Sequence, residues 1–426
     1  MSAQWTSGGE AGSSRNAATN QHTGDPIRPR KNSKAHRILE ALEAGSLNRF
    51  EAARIGDSAL NSTISRLRNL VFLGLGFWFY EWASDGWHLF ELPDSGWGIW
   101  LFALVAYDFS YYWFHRISHE VNLFWAAHVV HHSSEDYNLG TALRQSGSGL
   151  FGFIFYLPWL VVGIPADIFF AAGAINLVYQ FWVHTEHVRR IGPLEWVLIT
   201  PSNHRVHHAQ NEIYIDRNYG GILCIWDRIF GSFQDELPEE PCIFGIRKPL
   251  HSHNPIWANF HVYWSTLQDS WRTRRWSDKL RVWLKGPGWR PEDVARDFPV
   301  ERADLAQFSK YEPEVPAPIR HYAFFQFFCT TLASVWLMVF AGSLTGPELY
   351  TVVALALLSF YVQSLFTDGI AIARRAEQAR LVISSVALMM LNPGMPWVGL
   401  VTAYLLISLT WLWRTSLWPV RSPVNQ

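Results

Sequence analysis

His115-Arg-Ile-Ser-His119, His128-Val-Val-His131-His132 and His204-Arg-Val-His207-His208 hold eight of the chain's 17 histidines. An α-helix turns about 100° per residue, so imidazoles three and four positions apart leave the same face. Read as helices, the three runs make three donor faces able to enclose metal. Imidazole suits iron, zinc, copper or nickel, whereas magnesium and calcium prefer oxygen ligands. Eight nitrogen donors exceed the roughly four to six positions of one transition ion, so the count predicts two ions sharing a site. Burying that many imidazoles without partners would cost about 1 to 3 kcal/mol each, which argues against a purely structural role.

The 426-residue chain is 49% hydrophobic and 15% aromatic, and its apolar content is unevenly spread. Residues 1–60 are polar and carry a basic run at Arg28, Arg30, Lys31, Lys34 and Arg37, which reads as a solvated, loosely ordered head. No cleavable signal is expected, because the first apolar run begins only near Asn69. Cys224, Cys242 and Cys329 form no CxxC pair and are too few for a disulfide framework. A net charge of −1 with scattered basic residues excludes nucleic acid as an expected partner.

Apolar runs at 69–83, 97–114, 149–163, 165–183, 321–341, 347–366 and 397–413 approach the roughly 20 residues that cross a hydrocarbon core. The shorter run 381–391, closed by Asn392-Pro393-Gly394, fits half of a re-entrant hairpin, and its topology is left open. Basic residues flank alternate ends: Arg66 and Arg68 before the first run, Arg116 after the second, Arg189 and Arg190 after the fourth, Arg374, Arg375 and Arg380 after the sixth. Positive flanks stay cytoplasmic, so all three histidine runs are expected on that side, of a bacterial inner membrane or of the endoplasmic reticulum. The expected fold is all-α: a polytopic membrane helical bundle with a cytoplasmic histidine-rich di-metal cap. Residues 61–320 form its site-bearing domain and 321–426 a C-terminal membrane module. Within the cap, Trp264 to Trp289 interleaves Trp with Arg and Lys, as suits a headgroup boundary.

His184, at the end of the fourth run, is a ninth ligand candidate, and His187 a weaker one. Asp108 lies seven residues before His115, two helical turns back on the same face, where a carboxylate is expected to accept the spare N–H of a ligand imidazole. Glu120 and Glu186 are placed to do the same. His22, His36, His88, His251, His253, His261 and His321 fall outside the pattern.

The stretches Asp108-Phe-Ser-Tyr-Tyr-Trp-Phe-His115, Phe124-Trp-Ala-Ala-His128-Val-Val-His131-His132, Gln180-Phe-Trp-Val-His184-Thr-Glu186, Thr200-Pro-Ser-Asn-His204-Arg-Val-His207-His208 and Asp216-Arg-Asn218 through Trp226-Asp227 resemble the fatty acid hydroxylase and sterol desaturase superfamily, in particular its alkylglycerol monooxygenase branch. The resemblance implies a non-haem centre of two iron ions, with His115, His119, His128, His131, His132, His184, His204, His207 and His208 as ligands. Around them it sets Asp108, Glu120, Glu186, Asn218 and Asp227 as supporting residues. It also implies O2, a membrane lipid substrate and an external electron donor, tetrahydrobiopterin in that branch and a cytochrome or ferredoxin in sterol and fatty-acyl desaturases and hydroxylases. The branch reaction hydroxylates the carbon beside an ether oxygen and releases an aldehyde. Outside the superfamily, the same ligands around zinc would suit a membrane hydrolase, and a metal-binding membrane protein without catalysis is a further alternative.

Overall fold

The computed structural model describes residues 79–80, 82, 86–144, 152–300, 304–392 and 394–415, all within one compact unit. Among these residues there is no β-strand, only two isolated bridges, Leu198 to Leu223 and Ala209 to Phe244. The expected head at 1–60 and most of the first apolar run lie outside the described residues.

Helix α1 (Trp97–Glu120) carries His115 and His119 in its last two turns, and after the one extended residue Val121 the chain turns into α2 (Asn122–His132). Asn138 and Thr141 cap the short α3 (Leu139–Leu143) reciprocally. The apolar run 149–163 is not one straight span. Its described part is a 3-10 turn, Phe153–Phe155, followed by α4 (Leu157–Val162), which stops at Gly163 in the left-handed region (φ 100°). Helix α5 (Ala166–Val183) then runs parallel to α1. Asn176 Nδ2 donates to Asp108 Oδ1 (2.8 Å) and Tyr111 Oη to Gln180 Oε1 (2.6 Å), so positions rise together along both helices. Tyr80, Ala103, Ala106, Leu160, Ile168 and Ala172 form the core between α1, α4 and α5. Because the helices are parallel, His115, His119 and His184 come out at the same end.

Beyond α5, the chain forms the cap. Helix α6 (Pro201–His208) is started by Pro201 and by a reciprocal cap between Thr200 and Asn203, and every residue of this eight-residue helix is buried. Helix α7 (Ile225–Ile229), α8 (Pro255–Arg272), α9 (Trp276–Leu284) and α10 (Glu292–Asp297) complete it. Asn122 at the start of α2 braces it against α8 and α9, donating from Nδ2 to Thr266 Oγ1 (2.9 Å) and to the Val282 carbonyl (3.0 Å).

The C-terminal helices are α11 (Ala317–Phe340), α12 (Gly346–Thr367), α13 (Ala373–Leu391) and α14 (Met395–Thr415). Among the described residues, four helices are long and apolar enough to cross a membrane: α5, α11 with its 3-10 extension to Ser343, α12 and α14. Helix α13 resolves the open run at 381–391, which is the second half of one continuous 19-residue helix rather than a half-hairpin. Its first turn meets the end of α14, where Arg374 Nη2 donates to the Thr415 carbonyl (3.1 Å), and its last meets the start of α14 through Trp397 Nε1 and the Leu388 carbonyl (2.8 Å). The module is therefore an up-down-up-down bundle. Charges at Arg374, Arg375, Glu377 and Arg380 lower the hydropathy of α13, and the innermost are paired within the bundle: Arg380 donates to both Glu377 carboxylate oxygens and to Gln326 Oε1.

Candidate metal centre

Two nests of imidazole form at the common end of α1 and α5. His115, His119, His128, His132 and His207 make one and His131, His184, His204 and His208 the other; within each nest the donor nitrogens lie within 4.8 Å of one another. Helical spacing explains the division. On α2 the i, i+4 pair His128 and His132 turns to the first nest, while His131, about 100° round the helix from His132, turns to the second. On α6 the pair is His204 and His208, and His207 is the residue that crosses over.

The distances inside the nests are those of a coordination polyhedron. Nε2 of His128 lies 3.1 Å from Nε2 of both His115 and His132, and Nε2 of His184 lies 3.0 Å from His204 and 3.4 Å from His131. Ligands about 2.0 to 2.1 Å from one metal stand about 2.9 Å apart at an octahedral edge and about 3.4 Å at a tetrahedral one. Nε2 of His119, His207 and His208 is buried without a hydrogen-bond partner, which a metal would supply. Burial and the neighbouring imidazoles hold His128, His132, His204, His207 and His208 well below the usual histidine range, and burial brings His131 down to about 4. Neutral imidazole is the ligating form.

The other ring nitrogens are fixed by backbone carbonyls rather than by carboxylates. Nδ1 of His115 meets the Tyr219 carbonyl (2.8 Å), His131 that of Arg144 (3.0 Å), His184 that of Gln180 (2.7 Å) and His207 that of Arg217 (2.9 Å). Two of the four carbonyls sit in one turn, 216–219, where Asp216 (φ 58°) and Asn218 (φ 56°) adopt the left-handed conformation that Asp and Asn tolerate best among residues other than glycine. Asn218 locks the turn: its Nδ2 donates to the Asn203 and Gln234 carbonyls (2.9 and 2.8 Å), and its Oδ1 accepts from the Gln234 N–H (2.9 Å).

Asp108 departs from its expected contact. It accepts from the Ile222 and Leu223 backbone N–H (2.7 and 3.1 Å), from Trp226 Nε1 (2.9 Å) and from Asn176, so it grips the chain just beyond Tyr219 instead of an imidazole. Gly221 allows this approach, since a Cβ there would lie 2.9 Å from Asp108 Oδ1 and 2.7 Å from Asn176 Nδ2. Asp227 holds the same turn from its other side, accepting from the Tyr219 and Gly220 N–H (2.7 and 2.9 Å) and from Ser232 Oγ (2.7 Å), and burial pushes its carboxyl up to about 6. Glu120 is exposed and pairs with Arg116 (2.8 Å). Glu186 and His187 are exposed as well, and His187 belongs to neither nest. The carboxylate that faces a nest imidazole is Asp216, 3.6 Å from Nδ1 of His119, which sequence reasoning did not single out.

Residues 100–232, which include all nine imidazoles, match the family model described as fatty acid hydroxylase. The chain is 44% identical over 260 residues to alkylglycerol monooxygenase of Homo sapiens, covering 60% of this chain and 57% of that one, so little more than half of the human relative is spanned. It is 42% identical over 336 residues to alkylglycerol monooxygenase of Danio rerio, covering 77% and 72%. A more distant relative is the ornithine lipid hydroxylase OlsE of Rhizobium tropici, 33% identical over 140 residues, or 31% of this chain and 40% of that one. No solved structure matches the chain. The apolar helices and the paired imidazole nests define a membrane protein with histidine clusters that could hold metal. The chain belongs to the fatty acid hydroxylase family, and its alkylglycerol monooxygenase relatives are similar over most of its length.

Proposed function

We propose that this chain is a multi-pass membrane monooxygenase with two irons, which inserts oxygen from O2 into a C–H bond of a lipid, with an ether lipid as the first substrate to test. The observation that carries this reading is the division of nine buried imidazoles into nests of five and four, with the donor nitrogens of each nest within 4.8 Å of one another. A five-imidazole nest exceeds the four ligands usual for zinc, which favours iron over a hydrolytic zinc site. Irons held there would supply the activation of O2 that an inert C–H bond requires. The protein's part is to keep the imidazoles of His128, His131, His132, His204, His207 and His208 neutral, to fix four of the rings by carbonyls, and to wall off water with Trp125 beside His119 and His132 and Tyr137 beside His184 and His208.

The reaction consumes O2, two electrons and two protons, placing one oxygen atom on the lipid and one in water. On the carbon beside an ether oxygen, the product collapses to an aldehyde and an alcohol. The electrons come from an external donor, tetrahydrobiopterin being the first to test, with a cytochrome or ferredoxin as the alternatives. The nests are assigned to the cytoplasmic face, on the positive flanks of the spans. Purified protein should hold about two irons per chain and consume O2 only when lipid and reductant are both present, with label from 18O2 in the product. His131→Ala should lose iron and turnover together, whereas His321→Ala, on an exposed position of α11, should keep both. Redox-silent zinc with lipid cleavage independent of O2 would sink the proposal.

A further inference from the structure

The cap carries an apolar face that no described residue covers. On α8, Ile256, Trp257, Phe260, Trp264, Leu267 and Trp271 are exposed, and at about 100° per residue they fall within a single arc of about 100°. On α9, Trp276, Leu280 and Leu284 repeat every fourth residue and are exposed too. Trp271 and Trp276, at the corner between the helices, are 84% and 82% exposed and extend the contiguous apolar face. The opposite faces are buried: Ala258, His261, Thr266 and Asp269 on α8, Asp278 and Val282 on α9.

Charge and position select the occupant. Residues 271 to 285 carry six basic side chains, Arg272, Arg274, Arg275, Lys279, Arg281 and Lys285, against the one carboxylate of Asp278. The guanidinium groups of the outermost, Arg274 and Arg275, make long ion pairs, with Asp297 at 3.7 Å and Glu292 at 4.0 Å. The start of α8 is tied to the end of a membrane-spanning helix: Asp368, which closes α12, accepts from Ser252 Oγ (2.7 Å) and from the His253 backbone N–H (2.8 Å). A helix end of that kind lies at the bilayer boundary, so the face begins where the membrane surface is.

We propose that α8 and α9 lie in the headgroup layer of an anionic lipid bilayer, with the nine apolar side chains inserted and the arginines on lipid phosphates. Because Asn122 braces α2 against these two helices, the seat also sets the height of His128, His131 and His132 above the bilayer. The inference rests on the membrane character of the chain and not on its oxidative chemistry.

The test uses the full chain, with Cys242 and Cys329 replaced by Ser, reconstituted in vesicles of phosphatidylcholine alone or with roughly one quarter phosphatidylglycerol. Nitroxide is attached in separate samples at Trp271→Cys, Trp276→Cys and, as a control, Glu239→Cys on an exposed loop of the cap. The labels at 271 and 276 should relax with O2 more than with a water-soluble nickel chelate, and the control the reverse. They should sit deeper in the anionic vesicles, and Arg274→Gln with Arg275→Gln should abolish that difference. Nickel accessibility at 271 and 276 equal to that at 239 would overturn the proposal, as would equal depth in both vesicles. Dipolar coupling between singly labelled chains would also overturn it, by identifying a second copy as the occupant.

Discussion

At the scale of single residues, the imidazole nests depend on groups that never touch them. Asp108 and Asp227 grip the two sides of the turn 219–223, and that turn presents the carbonyl that orients His115. Asp108→Asn keeps the shape but puts an N–H donor among four donors, so the turn should loosen. Iron affinity or turnover should fall about 10- to 100-fold, the usual loss when an outer partner of a ligand is changed, and iron per chain together with kcat reports it. Unchanged values would mean that the turn is held without Asp108. Eight of the imidazoles were legible in the sequence because i, i+3 and i+4 spacing is a property of any helix, and the ninth, His184, from its place at the end of an apolar run. Their carbonyl partners were not, since every residue has a carbonyl and only the fold decides which one points inward. For the same reason Asp108 was recognisable as an unusual carboxylate but not as a grip on backbone N–H groups 114 and 115 positions away.

At the scale of the element, α13 shows how hydropathy fails when charge is paired inside a bundle. Arg380 is 2% exposed, and its guanidinium reaches Glu377, Gln326 and Tyr404, joining three helices. Tyr322 on α11 donates to Glu377 as well (2.6 Å), so the cluster sets the register of the C-terminal module. Arg380→Met alone leaves the Glu377 carboxylate buried without its partner and should destabilise by about 3 to 5 kcal/mol. Arg380→Met with Glu377→Gln removes both charges and should recover a large part of that loss. Thermal unfolding in detergent distinguishes the two, and a double variant as unstable as the single would argue against pairing as the reason. A window average over α13 registers only the charges, which is why its length was not readable from the sequence. The break in 149–163 was hidden in the opposite way: its residues are uniformly apolar, yet the described part turns at Phe153–Phe155 and stops at Gly163.

At the scale of the whole molecule, the histidine-rich end couples folding to pH. The imidazoles of His128, His132, His204, His207 and His208 are neutral in the fold and titrate well below the usual range, and His131 near 4. In an unfolded chain each takes up its proton near pH 6.5. Below that pH the unfolded state binds more protons than the native state, so stability is full above about 6.5 and is lost as pH falls toward about 4. The thermal midpoint of metal-free protein should therefore drop steeply between about pH 6.5 and 4.5, and loaded protein should release its metal over the same window. A flat midpoint there would show that the imidazoles are not held neutral.

The nests hold unequal numbers of imidazoles, and two rings of the larger one, His115 and His207, lean on the single left-handed turn at 216–219. Two atoms of one element placed there would have different electron-donor counts and different mechanical supports. A Mössbauer spectrum of iron-loaded protein should accordingly resolve two quadrupole doublets of equal area, and a chelator should strip the pair in two kinetic phases. Such a pair would be an asymmetric couple, five donors on one side and four on the other.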